Sequence, residues 1–190
     1  VPASAYALSP AFSTTVYSGN AVTNQIPTGI DNTDKSLVWI KRRTATTNHC
    51  LIDTERDITQ WLRSNLTDAY TNPQFVSFDN DGFTISTNTE INASGSDNMV
   101  AWNFRGAPRF MDIVTYKGNG TSGHEISHQL KDTPAFIICK GTTFADDWHV
   151  SHVDIGIGTH YMELSSTKKA TANSNIFKGV SDTTFTLGSQ

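Results

Sequence analysis

The chain has 190 residues, with 14 Lys and Arg against 18 Asp and Glu, for a net charge of −4. The densest basic runs are Lys41-Arg42-Arg43 and Lys168-Lys169, which excludes a nucleic-acid footprint. No apolar run approaches the roughly 20 residues of a membrane span, so membrane insertion is not expected. With only 17 % charged residues and many Ser, Thr and Asn, the chain suits an all-β fold better than a helical one.

In chain order, Ser13–Ser18 alternates as a strand should and stops at the turn dipeptide Gly19-Asn20. Leu37–Ile40 is a continuous apolar run, expected for a buried strand, and Cys50–Ile52 follows after the polar loop 42–48. The next candidate, Glu55–Ser64, places Ile58, Trp61 and Leu62 at i, i+3 and i+4, which predicts a short helix or a bent strand. Gln74–Phe78 and Phe83–Thr87 flank Asp79-Asn80-Asp81-Gly82, a hairpin signal. Met99–Phe104 alternates again and closes this half. Two-sheet packing would place Trp39, Trp61, Phe78, Phe83, Trp102 and Phe104 between the sheets.

The remaining sequence repeats the first half. Tyr17-Ser18-Gly19-Asn20 answers Tyr116-Lys117-Gly118-Asn119, and Leu37–Lys41 answers Phe136–Lys140, in both cases 99 positions away. His49 answers His149, Trp61-Leu62 answers Tyr161-Met162, and Phe83-Thr84-Ile85 answers Phe185-Thr186-Leu187. The expected architecture is all-β: two tandem β-sandwich, jelly-roll-like modules at residues 12–110 and 111–190, preceded by an N-terminal strand or linker at 1–11.

The ends are out of phase with the repeat. The second copy lacks a counterpart of Met99–Phe104. At the other end, Ala5-Tyr6-Ala7-Leu8, followed by Phe12, resembles Ala101-Trp102-Asn103-Phe104, followed by Phe110. The chain also opens on Val1, not Met, which reads as a processed product or a piece of a longer polypeptide. Three arrangements remain open: a slice of a longer array, an N-terminal strand that completes the second copy of its own chain, or one that completes a neighbour's. An open apolar strand edge must be paired or covered, so Tyr6, Leu8 and Phe12 are candidate assembly residues.

Residues suited to chemistry read better as structure. Asp79-Asn80-Asp81-Gly82 opens like a calcium loop, with Glu90 in twelfth place, but Gly82 falls fourth where a loop needs it sixth; a hairpin turn is expected. His49, His124, His128, His149, His152 and His160 show no zinc-ligand spacing. The apparent recurrence of His49 and His149 favours a structural hydrogen bond. Cys50, aligned near Val150, and Cys139, aligned with Ile40, replace apolar strand residues and are expected as buried free thiols. The acidic groups Asp53, Glu55, Asp57 and Asp146, Asp147 read as solvated loops. No catalytic, cofactor or metal residues are assigned.

The series Val16-Tyr17-Ser18-Gly19-Asn20, Leu37–Lys41, Asp53-Thr54-Glu55-Arg56, Leu62–Asn65, Phe78–Thr84, Asn92–Gly95 and Val100-Ala101-Trp102 resembles a tandem repeat family of tailed-bacteriophage tail-fibre and other virion structural proteins. The resemblance covers nearly all of the first copy. In the second it rests on Tyr116–Gly120 and Trp148-His149-Val150 with His152. Family members often carry Asp-Thr-x-Arg-Gly where this chain has Asp57 after Arg56. The resemblance implies a non-enzymatic virion module, in a tail fibre, appendage or decoration, that acts through assembly with copies of itself and other virion proteins. The alternative is a carbohydrate-binding module that recognises a host-surface glycan.

Overall fold

The computed structural model describes residues 10–72, 74–95 and 97–189. The expected strand within 1–11, with the candidates Tyr6 and Leu8, lies outside the described residues except for its last two positions. Fifteen strands are described: β1 Phe12–Ser18, β2 Asn24–Pro27, β3 Ser36–Arg42, β4 His49–Asp53, β5 Leu62–Arg63, β6 Phe75–Asp79, β7 Gly82–Ile85, β8 Asn98–Arg105, β9 His124–Ser127, β10 Phe136–Lys140, β11 Trp148–His152, β12 His160–Glu163, β13 Thr171–Ala172, β14 Phe177–Val180 and β15 Thr184–Leu187. The protein is all-β.

Every described strand pairing is antiparallel, and the two halves order their strands alike. The first half has a five-stranded sheet β1-β8-β3-β4-β5 and a three-stranded sheet β2-β7-β6. The second has β10-β11-β12-β13 and β14-β15-β9. Ile26 faces Phe83 across β2 and β7, as Ile126 faces Phe185 across β9 and β15. One difference stands out: β8, which pairs with β1 on one side and β3 on the other, has no counterpart among the described residues of the second half.

The first half's sheets pack face to face. Alternation along β3 sends Val38 and Ile40 inward, where they meet Cys50, Ile52, Trp61, Phe83, Ile85 and Ala101 in one core. Trp61 and Phe83 are the largest fully buried side chains. Phe78 packs at the margin of this core, and Phe75 stacks on Phe83 at 5.7 Å. Trp39, Trp102 and Phe104 do not interdigitate between the sheets. Their positions in β3 and β8 have the opposite parity to Val38, Ile40 and Ala101, so they project from the other face of the five-stranded sheet. There Trp39 and Trp102 meet edge-on at 6.1 Å.

The run 55–64 is not helical. The Asp53 carboxylate accepts hydrogen bonds from the Glu55 and Arg56 N–H groups, and Asp57 accepts from the N–H and hydroxyl of Thr59. These local bonds hold turns in place of helical ones. Trp61 then bridges to Thr71, and Leu62 pairs with Leu51. Apolar spacing of i, i+3, i+4 here spans turns that lead through the Trp61 bridge into the two-residue strand β5, neither a helix nor one bent strand. The only helical element described is one 3-10 turn at Val153–Ile155.

The hairpin at Asp79–Gly82 forms as expected. Asp79 pairs with Gly82 across the turn, and its carboxylate accepts from the Ser77 and Thr84 hydroxyls at 2.6 and 2.7 Å. Gly82 takes a φ of +136°, and a Cβ there would collide with the Ile26 carbonyl. Glu90 is engaged elsewhere, in a two-point ion pair with Arg63.

Asn92 is a hub that its place in an Asn-Ala-Ser run conceals. Fully buried, it donates to the carbonyls of Val22 and Ser86 and accepts from the Asn20 N–H. Together with the bond from Gly19 N–H to the Asp97 carbonyl, it ties the end of β1 to the segment leading into β8. Truncation at the centre of the core, Phe83→Ala, is expected to cost about 3–5 kcal/mol, read as a lower urea midpoint with an unchanged slope.

Candidate functional site

When the strand registers of the two halves are compared, the match read from the sequence shifts by one residue. In the first half Lys41 faces His49 and Ile40 faces Cys50; in the second Lys140 faces Trp148 and Cys139 faces His149. The structural counterpart of His49 is therefore Trp148, not His149, and that of Cys50 is His149, not Val150. A slip of one residue moves a side chain to the other face of its sheet, so the two histidines do different things. His49 lies on the outer face, where its Nδ1 accepts from Trp39 Nε1 at 3.0 Å and its ring stacks on Trp102. His149 faces the second half's interior, 5.4 Å from the Tyr161 ring, with its Nε2 3.7 Å from Asp146.

Trp148 joins the halves. Its indole is buried against Leu51 and Leu62, with Leu37 and Trp39 packed alongside. Its Nε1–H lies 3.0 Å from the carbonyls of both Arg63 and Leu66. Two backbone bonds flank it, Tyr70 N–H to the Thr142 carbonyl and Asp146 N–H to the Thr67 carbonyl. Lys35 adds an ion pair to Asp112 at 2.7 Å. No periodicity announced Trp148, because the two copies carry different residues at that position.

Beside this junction lies a cleft of about 1490 Å³. Leu37, Trp39 and Phe104 line one wall, Phe136 and Ile138 the other, and residues 110–121 run along it. Phe136 is 52 % exposed and Ile138 40 %, both on the outer face of β10. Among the described residues β10 pairs with β11 alone. An edge strand leaves every second backbone N–H and C=O without a sheet partner.

The counterpart of β1 reinforces the picture. Residues 113–119 match 14–20 in sequence, yet no backbone–backbone hydrogen bond is described for them. In the first half a Cβ on Gly19 would strike the backbone of Ala93, whereas one on Gly118 meets nothing within 4 Å. In the second half no strand is described between β10 and residues 113–119, and the slot between them is part of the cleft. Tyr116 reaches across it, its hydroxyl 2.7 Å from Cys139 Sγ.

The chemistry available is modest. Cys50 and Cys139 are free thiols, buried and partly buried respectively. Burial pushes both thiols up in pKa, with Glu90 adding to the effect at Cys50. A thiol held protonated is a poor nucleophile. Cys50 and His49 point to opposite faces, so their adjacency in sequence makes no pair. Among the described residues no group of three or more His, Cys, Asp or Glu side chains converges to hold a metal, and no helix is long and apolar enough to cross a membrane. Phe12, the described assembly candidate, is 45 % exposed and lies 4.9 Å from Phe104 at the edge of the first half's sheet.

A family model for a domain of unknown function, DUF7483, matches residues 8–190. The chain belongs to the DUF7483 family. No curated protein and no solved structure matches it. The match runs through both halves, so the family's domain includes the junction, the cleft and the slot.

Two outcomes check this site. Trp148→Ala removes the indole and its two acceptor contacts; it should cost about 3–5 kcal/mol and split a single calorimetric transition into two. The second concerns His49. Desolvation, then the nearby Lys41, holds its pKa below the ordinary value. The neutral ring is the native form, so its contribution is present above the unfolded pKa of about 6.5 and is lost as pH falls below it. Wild-type Tm should fall between about pH 7.5 and about pH 5.5, and His49→Gln should fall less over the same range.

Proposed function

We propose that this chain is a non-enzymatic structural module that works by protein–protein assembly through the second half's strand slot and cleft. The observation that carries the reading is the edge of β10, which has no partner among the described residues, carries the exposed Phe136 and Ile138, and shares the cleft with residues 113–119. Strand addition at such an edge gains backbone hydrogen bonds for affinity and alternate side-chain contacts for specificity. The sequence resemblance to tailed-phage structural repeats supports a setting in a virion: a tail fibre, appendage or decoration, in contact with other virion proteins.

A second reading is carbohydrate binding. It is favoured by Phe110, Tyr116, Phe136 and Phe144, all exposed and all lining the cleft. Against it, several polar groups nearby are already paired with one another, as Asp53 is with Arg56 and Asp112 with Lys35.

A concentration series by sedimentation velocity tests the assembly reading. Reversible association is expected, together with slowed hydrogen exchange at alternate β10 amides in the associated species. The double variant Phe136→Lys/Ile138→Lys, folded by circular dichroism, should lose both. A chain that stays monomeric with unprotected β10 amides at every concentration defeats the reading. Saturable oligosaccharide binding that Tyr116→Ala and Phe136→Ala remove would favour the glycan instead.

A further inference from the structure

We infer that the occupant of the slot is residues 1–9 of a second copy of this chain, added as an antiparallel strand to β10. This rests on the assembly reading above and specifies its partner. The first half supplies the template, because β8 fills the equivalent position between β1 and β3. In β8 the small or polar residues Ala101 and Asn103 turn into the core, fully buried, while Trp102 and Phe104 occupy the outer face. Beyond the inward Met99, the stretch Ala101–Phe104 thus alternates compact inward residues with large apolar outward ones.

Ala5-Tyr6-Ala7-Leu8 has that alternation in the same phase. The register follows from the β3–β8 pairing, in which Leu37 faces Phe104, Val38 faces Asn103, Trp39 faces Trp102 and Ile40 faces Ala101. Carried to β10, Leu8 lies opposite Phe136, Ala7 opposite Ile137, Tyr6 opposite Ile138 and Ala5 opposite Cys139. Tyr6 and Leu8 then enter the cleft and cover the two side chains that the edge leaves exposed. Ala5 and Ala7 face inward, where Cys139 and Ile137 already pack with Phe177.

The junction between the halves says why the donor is a second copy. It is heterologous: residues 63–70 of the first half meet residues 142–148 of the second. The structurally equivalent pair, 43–49 of the first half and 163–170 of the second, shares no hydrogen bond among the described residues. A junction built from two different surfaces does not close on itself, so the corresponding stretches, with His49 in place of Trp148 on one of them, stay outside it. The same geometry repeated between chains sets the first half of one molecule, and the N-terminal segment ahead of its β1, against the second half of another.

The test uses the full chain carrying Ala5→Cys. Opposed residues of antiparallel strands have Cα atoms about 4.5–5.5 Å apart, within disulfide range, so the new thiol should bond to the native Cys139 under mild oxidation. The expected result is chain-to-chain species on a non-reducing gel, collapsed by reductant and absent from Ala5→Cys/Cys139→Ala. Removal of residues 1–9 should abolish self-association and restore fast exchange in β10. A disulfide between the introduced thiol and Cys139 within one chain, found by peptide mapping of a monomer, overturns the second-copy assignment in favour of the chain's own segment. Unchanged association after removal of residues 1–9 overturns the donor while leaving the assembly reading intact. A wild-type chain that neither associates nor protects β10 defeats both.

Discussion

A β-strand inside a sheet is satisfied only when both of its edges are paired, and this requirement organises the molecule. In the first half it is met by β8, which returns after the hairpin β6–β7 to lie between β1 and β3. Its insertion does more than supply hydrogen bonds. The segment leading into it brings Asn92 under the β1 turn and seats Ala93 against Gly19, and its inward residues Met99, Ala101 and Asn103 become fully buried. With the same strand order but no strand described in that position, the second half leaves its β1 counterpart without a strand partner among the described residues, and leaves Phe136 and Ile138 exposed. Among the described residues the second half has no strand that corresponds to β8 or to β1, and the cleft lies where they would pair with β10.

The halves are also held together by a contact that breaks their likeness. Trp148 occupies the place that His49 holds in the first copy, and each makes its own use of it. His49 is fixed within its sheet by Trp39 and Trp102. Trp148 stays in β11, and its indole seals the junction against Leu51 and Leu62. Two copies of one fold thus perform different tasks from one position, because a large amphipathic indole can bury its body and still satisfy its N–H.

Much of the all-β character was legible along the chain. The hairpin around Asp79–Gly82, the alternation of Ser13–Ser18 and Met99–Phe104, and the apolar run Leu37–Ile40 all carry local signals that the fold obeys. Other local signals misled. Ile58, Trp61 and Leu62 have helical spacing, but side-chain bonds from Asp53 and Asp57 hold turns, and pairing with β4 decides the rest. Trp39, Trp102 and Phe104 read as core aromatics, yet strand parity places them on the opposite face of the sheet from Val38 and Ile40. Likeness of letters matched His49 with His149; strand register matched it with Trp148. Hydrophobicity names a residue that wants cover, but not the face or the partner that provides it.

By itself the sequence determined the strand-forming runs and the turns between them, because each depends on residue types and spacings within a few positions of one another. Only the tertiary structure decided which strands are neighbours, which face of each sheet is core, that Trp148 bridges the halves, and that a cleft runs beside β10. Those outcomes depend on pairing between residues tens of positions apart. A one-residue change of register there reverses every face without altering the local pattern.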